Sequence, residues 1–297
     1  MKRFFSALAG LALAGTIGVA APVRAESPAG MQLYAFSSGT MMIGKGFLQN
    51  FAPMEPKIEI PIGFFVIKHP KGNVIFDTGN NDKVISDTGY WGKLASVFEP
   101  KMTASDAMDA QLAKIGLTTK DIKYVVVSHM HLDHGGNVGK FPESTILIQE
   151  DELHFAMFPD EPYAAGYIPD DVSVLRSGVG ASQPNAMKML RLEGDFDLFG
   201  DGSLVIHRSP GHTKGTQMLT VRLPKTGPVI LTSDAAYFRD NVEKNQIPNI
   251  VLAYDATGII KGYDWIRRMI ATENASYFTS HDPDAWKSLK RAPEFYE

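Results

Sequence analysis

Four metal-type ligands fall within six residues, His129-Met130-His131-Leu132-Asp133-His134, directly behind the β-branched run Ile122-Lys123-Tyr124-Val125-Val126-Val127. That run has the composition of a buried strand. The six residues therefore read as the turn that leaves the strand's C-terminal end. Few folds tolerate such a turn, because imidazoles and a carboxylate at the rim of a core each need a partner. On extended backbone side chains alternate, so positions 129 and 131 project to one side, and the turn folds Asp133 and His134 toward a second point nearby. Neutral imidazole and carboxylate suit Zn²⁺, Mn²⁺, Fe or Co.

Around this segment the periodicity alternates. Ile60 to Ile67 is an apolar run ending at His69-Pro70-Lys71-Gly72-Asn73, a turn by composition, and Val74-Ile75-Phe76 follows as a second strand. The hairpin delivers Asp77-Thr78-Gly79 to a strand end. A helix is predicted from Thr103 as N-cap, with Asp106 three residues on and Met108, Leu112 and Ile115 on one face, to Gly116. Further strands are predicted at Thr145 to Gln149, Leu204 to Arg208, Met218 to Arg222 and Val229 to Thr232, with helices near Asp151 to Met157 and Ile260 to Thr272. Nothing rich in Pro, Gly or Ser divides the chain. The expectation is an α/β protein with mixed sheets, one domain over residues 26–297.

The first 25 residues stand apart. Lys2 and Arg3 precede an uncharged stretch rich in Ala, Leu and Gly, and Val23-Arg24-Ala25 offers small residues where an export signal is cleaved. The alternative is an uncleaved anchor, since about 18 apolar residues approach spanning length. Weak hydrophobicity favours a signal cleaved after Ala25, hence a periplasmic or secreted protein with no stable membrane anchoring. The formal charge of −4 offers no basic surface for nucleic acid. Cysteine is absent, so disulfides, a lipid-modified N-terminus and thiolate ligands are excluded.

His129-x-His131-x-Asp133-His134 resembles the defining motif of the metallo-β-lactamase superfamily, and other features of that family follow in order. Asp77-Thr78-Gly79 resembles its structural aspartate turn, Ser209-Pro210-Gly211-His212-Thr213 its third-histidine loop, Ser233-Asp234 its bridging carboxylate, and Ser280-His281-Asp282 its last ligand segment. The resemblance implies an αββα sandwich with ligands on loops at one edge. It implies two divalent metal ions, Zn²⁺ by preference. His129, His131 and His212 would hold one, Asp133, His134 and His281 the other, and Asp234 would bridge them. Such a pair lowers the pKa of bound water to near neutrality.

What is missing narrows the family. Without cysteine, the β-lactamase subclasses that bind a metal through it are excluded, and Asp234 is not expected in the cysteine-free one. His131 stands where flavo-diiron proteins carry glutamate. Only 297 − 281 = 16 residues follow His281, too few for the glutathione-binding region of glyoxalase II. The chain most resembles the N-acyl-homoserine lactonases, through Leu33-Tyr34-x-Phe36, Lys101-Met102-Thr103 and Asp234-Ala235-Ala236-Tyr237-Phe238. That likeness implies a small-molecule lactone substrate, opened by a metal-bridging hydroxide, and leaves a homodimer open. Asp133 would return a proton to the leaving oxygen and Tyr237 would contact the lactone carbonyl. Leu132 stands where these enzymes often carry an aromatic, which puts chain-length preference in question. Met41-Met42-Ile43 and Phe47 to Phe51 read as a loop-like lip for an acyl chain, with Met42 and Phe47 as contacts; packing as core is the alternative. A phosphotriesterase of the methyl parathion hydrolase type, a lactonase for another lactone and a non-catalytic binding protein are rival readings. His69, His154 and His207 read as structural or solvated.

Overall fold

The computed structural model describes residues 27–176 and 187–297; the segment read as an export signal lies outside the described residues. One sheet holds β1 (Gln32–Ile43), β2 (Ile58–Lys68), β3 (Asn73–Phe76), β4 (Ile122–Val126), β5 (Thr145–Gln149) and β6 (Lys188–Leu192), in chain order. Its first three strands run antiparallel and the rest parallel to β3. A second sheet holds β7 (Phe196–Asp197), β8 (Leu204–Arg208), β9 (Gln217–Leu223), β10 (Gly227–Leu231) and β11 (Ser276–Phe278), ordered β11-β10-β9-β8-β7. Only β10 and β11 pair in parallel there. Parallel neighbours need long crossovers, and helices fill them. The helices are α1 (Lys45–Leu48), α2 (Ala95–Phe98), α3 (Met108–Ala113), α4 (Glu150–Met157), α5 (Pro169–Arg176), α6 (Arg239–Lys244), α7 (Ala256–Glu273) and α8 (Pro283–Ser288).

Strand alternation sorts the core into layers. Phe64 and Val66 of β2 pack with Leu112, Phe155 and Leu175 beneath α3, α4 and α5. Phe65 and Ile67, one residue out of step, pack with Leu219, Val221 and Leu231 between the sheets. Met218 and Ile230 face outward onto Ile259, Tyr263 and Ile266 of α7, which recur at helical spacing. The order is helix, sheet, sheet, helix: the predicted αββα sandwich. Both faces of the central strands are covered toward the rim, so Val125 and Val126 of β4 and Ile146 to Ile148 of β5 are apolar in succession rather than alternating.

Two local expectations are corrected. The helix predicted from Thr103 is broken. Thr103 and Asp106 do form a capping box, but it closes only a 3₁₀ turn, Ala104–Asp106, and α3 begins at Met108. The Met108 N–H, which would have continued the helix, donates instead to Asp82 Oδ1 at 3.1 Å. Gly116 does end the helical segment, with φ of 70°. Met41-Met42-Ile43 is strand, not loop: it completes β1 and pairs with Ile58 to Ile60 of β2, after a register shift between Ser37 and Thr40.

Candidate metal centre

The strand ends that meet at one rim of the sandwich carry the site. β3 runs out at Phe76, and Asp77 turns the chain in left-handed backbone at φ 63°. Its carboxylate, fully buried, accepts from the Ser128 N–H at 2.7 Å and the Ser128 hydroxyl at 2.8 Å. It also accepts from the Ser233 hydroxyl at 3.0 Å and from His134 Nδ1 at 2.9 Å. One side chain thus fastens the ends of β4 and β10 to that of β3 and orients an imidazole.

Outer partners fix the ring orientations. Nδ1 of His212 lies 2.8 Å from the Leu252 carbonyl, and Nδ1 of His281 lies 2.8 Å from the Pro61 carbonyl. A carbonyl only accepts, so both nitrogens carry the proton and both Nε2 atoms present lone pairs inward. Asp77 imposes the same tautomer on His134. His131 differs, offering Nδ1 to the cluster at 2.9 Å from His212 Nε2.

Two separate groups result, His129, His131 and His212, and Asp133, His134 and His281, and a third, His129, His134 and Asp234, links them. Asp234 spans them. Its Oδ2 lies 3.8 Å and 3.4 Å from Nε2 of His129 and His212; its Oδ1 lies 3.2 Å and 3.1 Å from Nε2 of His134 and His281. Tetrahedral ligation at 2.0–2.1 Å gives ligand–ligand edges of about 3.3 Å. The His134 and His281 Nε2 atoms are 3.1 Å apart and both meet Asp234 Oδ1, so in the neutral state of the two rings no proton is left among the three. Asp234 Oδ1 is buried without a hydrogen-bond partner. Lone pairs converging in this way suit a cation, so the donor set fits a divalent metal in each group.

The electrostatics agree. Burial, then neighbouring imidazoles, hold His129 and His131 well below the ordinary histidine range, in the neutral ligand state. Burial acts the same way on His134 and His281, but Asp234 and Asp133 outweigh it and raise both. The pocket draws in positive charge.

Above the cluster lies a cavity of about 250 Å³. Its floor is His131, Asp133, His212, Asp234 and His281, and its wall includes Met41, Ile43, Phe47, Leu48, Leu94, Phe98 and Leu132. Leu132 and Phe47 therefore line it as expected. Met42 does not, because alternation along β1 gives the cavity Met41 and Ile43 and turns Met42 to the other face. Phe51 is 97% exposed and outside the lining; α1 replaces the expected loop. Tyr237 is both core and site. It is buried, its ring lies 6.0 Å from that of His281, and its hydroxyl oxygen lies 2.9 Å from His212 Nδ1. Since the Nδ1 proton is shared with the Leu252 carbonyl, the phenol hydrogen cannot go to that nitrogen, and the Asp234 carboxylate is its acceptor.

His69, His154 and His207 lie outside both ligand groups. His69 is buried, 3.2 Å from Ser203 Oγ, and His207 meets Asp195. The sequence reading passed over Glu152 and Tyr167, both buried behind the first group. The signal for Glu152 was available: a glutamate sharing a helix face with Phe155 and Ala156, three and four residues on.

A family profile described as the Metallo-beta-lactamase superfamily matches residues 64–281. N-acyl homoserine lactonase AttM of Azorhizobium caulinodans is 37% identical over 268 residues, spanning 90% of this chain and 99% of that protein. AttM of Agrobacterium fabrum is 35% identical over 267 residues, spanning 90% and 98%. A solved N-acyl homoserine lactone hydrolase, with N-hexanoyl-L-homoserine bound at its catalytic metal center, shares the fold. Its TM-score is 0.77 at 22% identity, over 89% of this chain and 98% of that one. With that fold, those relatives and the ligand clusters at one rim, the chain belongs to the metallo-β-lactamase superfamily.

Proposed function

We propose that this chain is a binuclear metal-dependent lactonase that opens the ring of N-acyl homoserine lactones. The observation that carries the reading is an apolar-walled cavity of about 250 Å³ whose polar floor is the histidine–aspartate cluster. It would accept a fatty acyl chain against the wall and an ester at the floor. The two AttM proteins, named as lactonases of these compounds and aligned over nearly their whole length, support the substrate class.

His129, His131 and His212 would hold one divalent ion and Asp133, His134 and His281 the other, with one Asp234 oxygen directed at each. Zn²⁺ suits these borderline donors. When bound, such a pair supplies a hydroxide at neutral pH and Lewis-acid polarisation of the carbonyl it attacks. The remaining chemistry falls to side chains. Burial, then the charges of Asp234 and Asp133, raise the Tyr237 hydroxyl well above its ordinary range, so it keeps its hydrogen. Its hydroxyl borders the cavity floor, and its hydrogen would turn from Asp234 to the charge growing on the carbonyl oxygen. Asp133, on the cavity floor, would take up the proton released as the lactone is attacked and pass it to the ring oxygen as that bond breaks. The reading includes export, with residues 1–25 as a cleaved signal.

Turnover of the mature, metal-loaded protein on N-acyl homoserine lactones of several chain lengths tests the proposal, with methyl parathion and a β-lactam alongside. Lactone opening at kcat/KM of about 10⁴ M⁻¹s⁻¹ or more, abolished by chelation, is the expected result. Lactone rates far below those on the phosphotriester would overturn it.

A further inference from the structure

A second buried carboxylate stands behind the centre. Glu152, in the first turn of α4, has no exposed surface. Its Oε1 accepts from the Met130 N–H at 2.9 Å and from the Tyr167 hydroxyl at 3.1 Å, and its Oε2 accepts from the Thr213 hydroxyl. Each donor sits against one part of the first group. Met130 separates His129 from His131, the Tyr167 ring meets the His131 ring edge-on at 4.7 Å, and Thr213 follows His212. The packing is tight: a Cβ on Gly215 would lie 2.2 Å from the Glu152 backbone nitrogen, and one on Gly166 would lie 2.7 Å from the His131 ring. Asp77 orients the other group directly through His134, and also reaches His129 through the Ser128 hydroxyl.

We propose that Glu152 is the positioning residue of the first metal, a buried acceptor that holds the segments bearing His129, His131 and His212 at coordination spacing. The inference rests on reading that group as metal ligands. A carboxylate can only accept, and three donors from three segments converge on it. Glutamine keeps the shape but turns an N–H₂ toward at least one of those donors, which loosens a ligand-bearing segment. None of the three bonds reaches Asp133, His134 or His281, so the effect should fall on one metal. Loss of an outer partner of this kind weakens a metal by about 10–100-fold.

Cobalt(II) titration of the full chain, followed by visible absorption and bound-ion count, tests this together with thermal unfolding of the metal-free protein. Glu152→Gln should unfold near the parent temperature without metal and bind one ion as the parent does. The other ion should bind about 10–100-fold more weakly, with an altered spectrum. In a His281→Ala background, which cripples the second group, the remaining ion should be the weakened one. Two ions bound as tightly as in the parent, or both weakened equally, would overturn the inference while leaving the two-metal reading intact. Should Glu152→Gln fail to fold, Thr213→Val decides: selective weakening of the same ion supports the proposal and unchanged binding overturns it. A parent that binds fewer than two cobalt ions overturns the two-metal reading and this inference with it.

Discussion

Asp77 and Ser233 both hold left-handed backbone, at φ 63° and 47°, and they are joined by a hydrogen bond of 3.0 Å. Residues other than glycine adopt that region at a cost of about 1–3 kcal/mol, which the surrounding bonds must offset. Here those bonds are the ones that orient His134, so strain and site are the same feature. Tyr237 permits a sharp test at this scale. Replacing it with Phe keeps the ring packed beside His281 and removes only the hydroxyl, so turnover should fall about 100-fold with little loss of stability. Steady-state kinetics and a melting curve on one preparation would separate the two effects. His129, His131, Asp133 and His134 were legible from their tight spacing, which has no ordinary use in a core, whereas His212, Asp234 and His281 came only through the resemblance to the family. Glu152 was passed over as an ordinary surface glutamate, although Phe155 and Ala156 on the same helix face marked it as buried.

At the scale of elements, long apolar runs were readable and local competition was not. β5 and β8 fall where the periodicity put them, Thr145–Gln149 and Leu204–Arg208. The helix after Thr103 broke because a carboxylate 26 positions earlier captured its backbone donor, an event no window of sequence contains. Met42 was misassigned for want of the strand's phase. α1 supplies Phe47, whose ring meets Phe98 at 5.9 Å across the cavity wall. Phe47→Ala should therefore raise KM for long-chain lactones, by roughly fourfold for each methylene left uncovered, and spare short-chain ones. Equal effects at every chain length would count against its role in selectivity.

α5 is tied down by Asp171, which accepts from Asn81 and from the Tyr90 hydroxyl, each at 2.7 Å, while its other oxygen has no partner. Burial pushes this carboxyl up to about 6 against the hydrogen bonds. A carboxyl raised in the folded state stabilises below its unfolded value of about 4 and loses that contribution as pH rises through the folded one. Asp171→Asn should thus melt higher than the parent at pH 7–8, by the equivalent of about 1–3 kcal/mol, and match it below about pH 4. Melting temperatures across that range decide the matter.

The molecule as a whole divides along its sequence. The first sheet uses strands between residues 32 and 192 and the second uses strands between 196 and 278, joined by Glu193, Gly194 and Asp195. The proposed ligand groups ignore that division. His129 and His131 come from the first half and His212 from the second; Asp133 and His134 come from the first and His281 from the second; Asp234, from the second, serves both. Cations that bind only the folded chain should stabilise it, by roughly 5–11 °C for each site held at a hundred times its Kd. Chelation should remove that increment, and a melting curve unmoved by it would argue against metal in the folded protein. A clasp of this kind has a further consequence. Neither half owns a working set of ligands, so any sideways slip of one sheet on the other would spoil both groups at once. The centre is a gauge of how the halves are aligned, and the core between the sheets, which Phe65 shares with Leu219 and Val221, helps set the geometry at the rim.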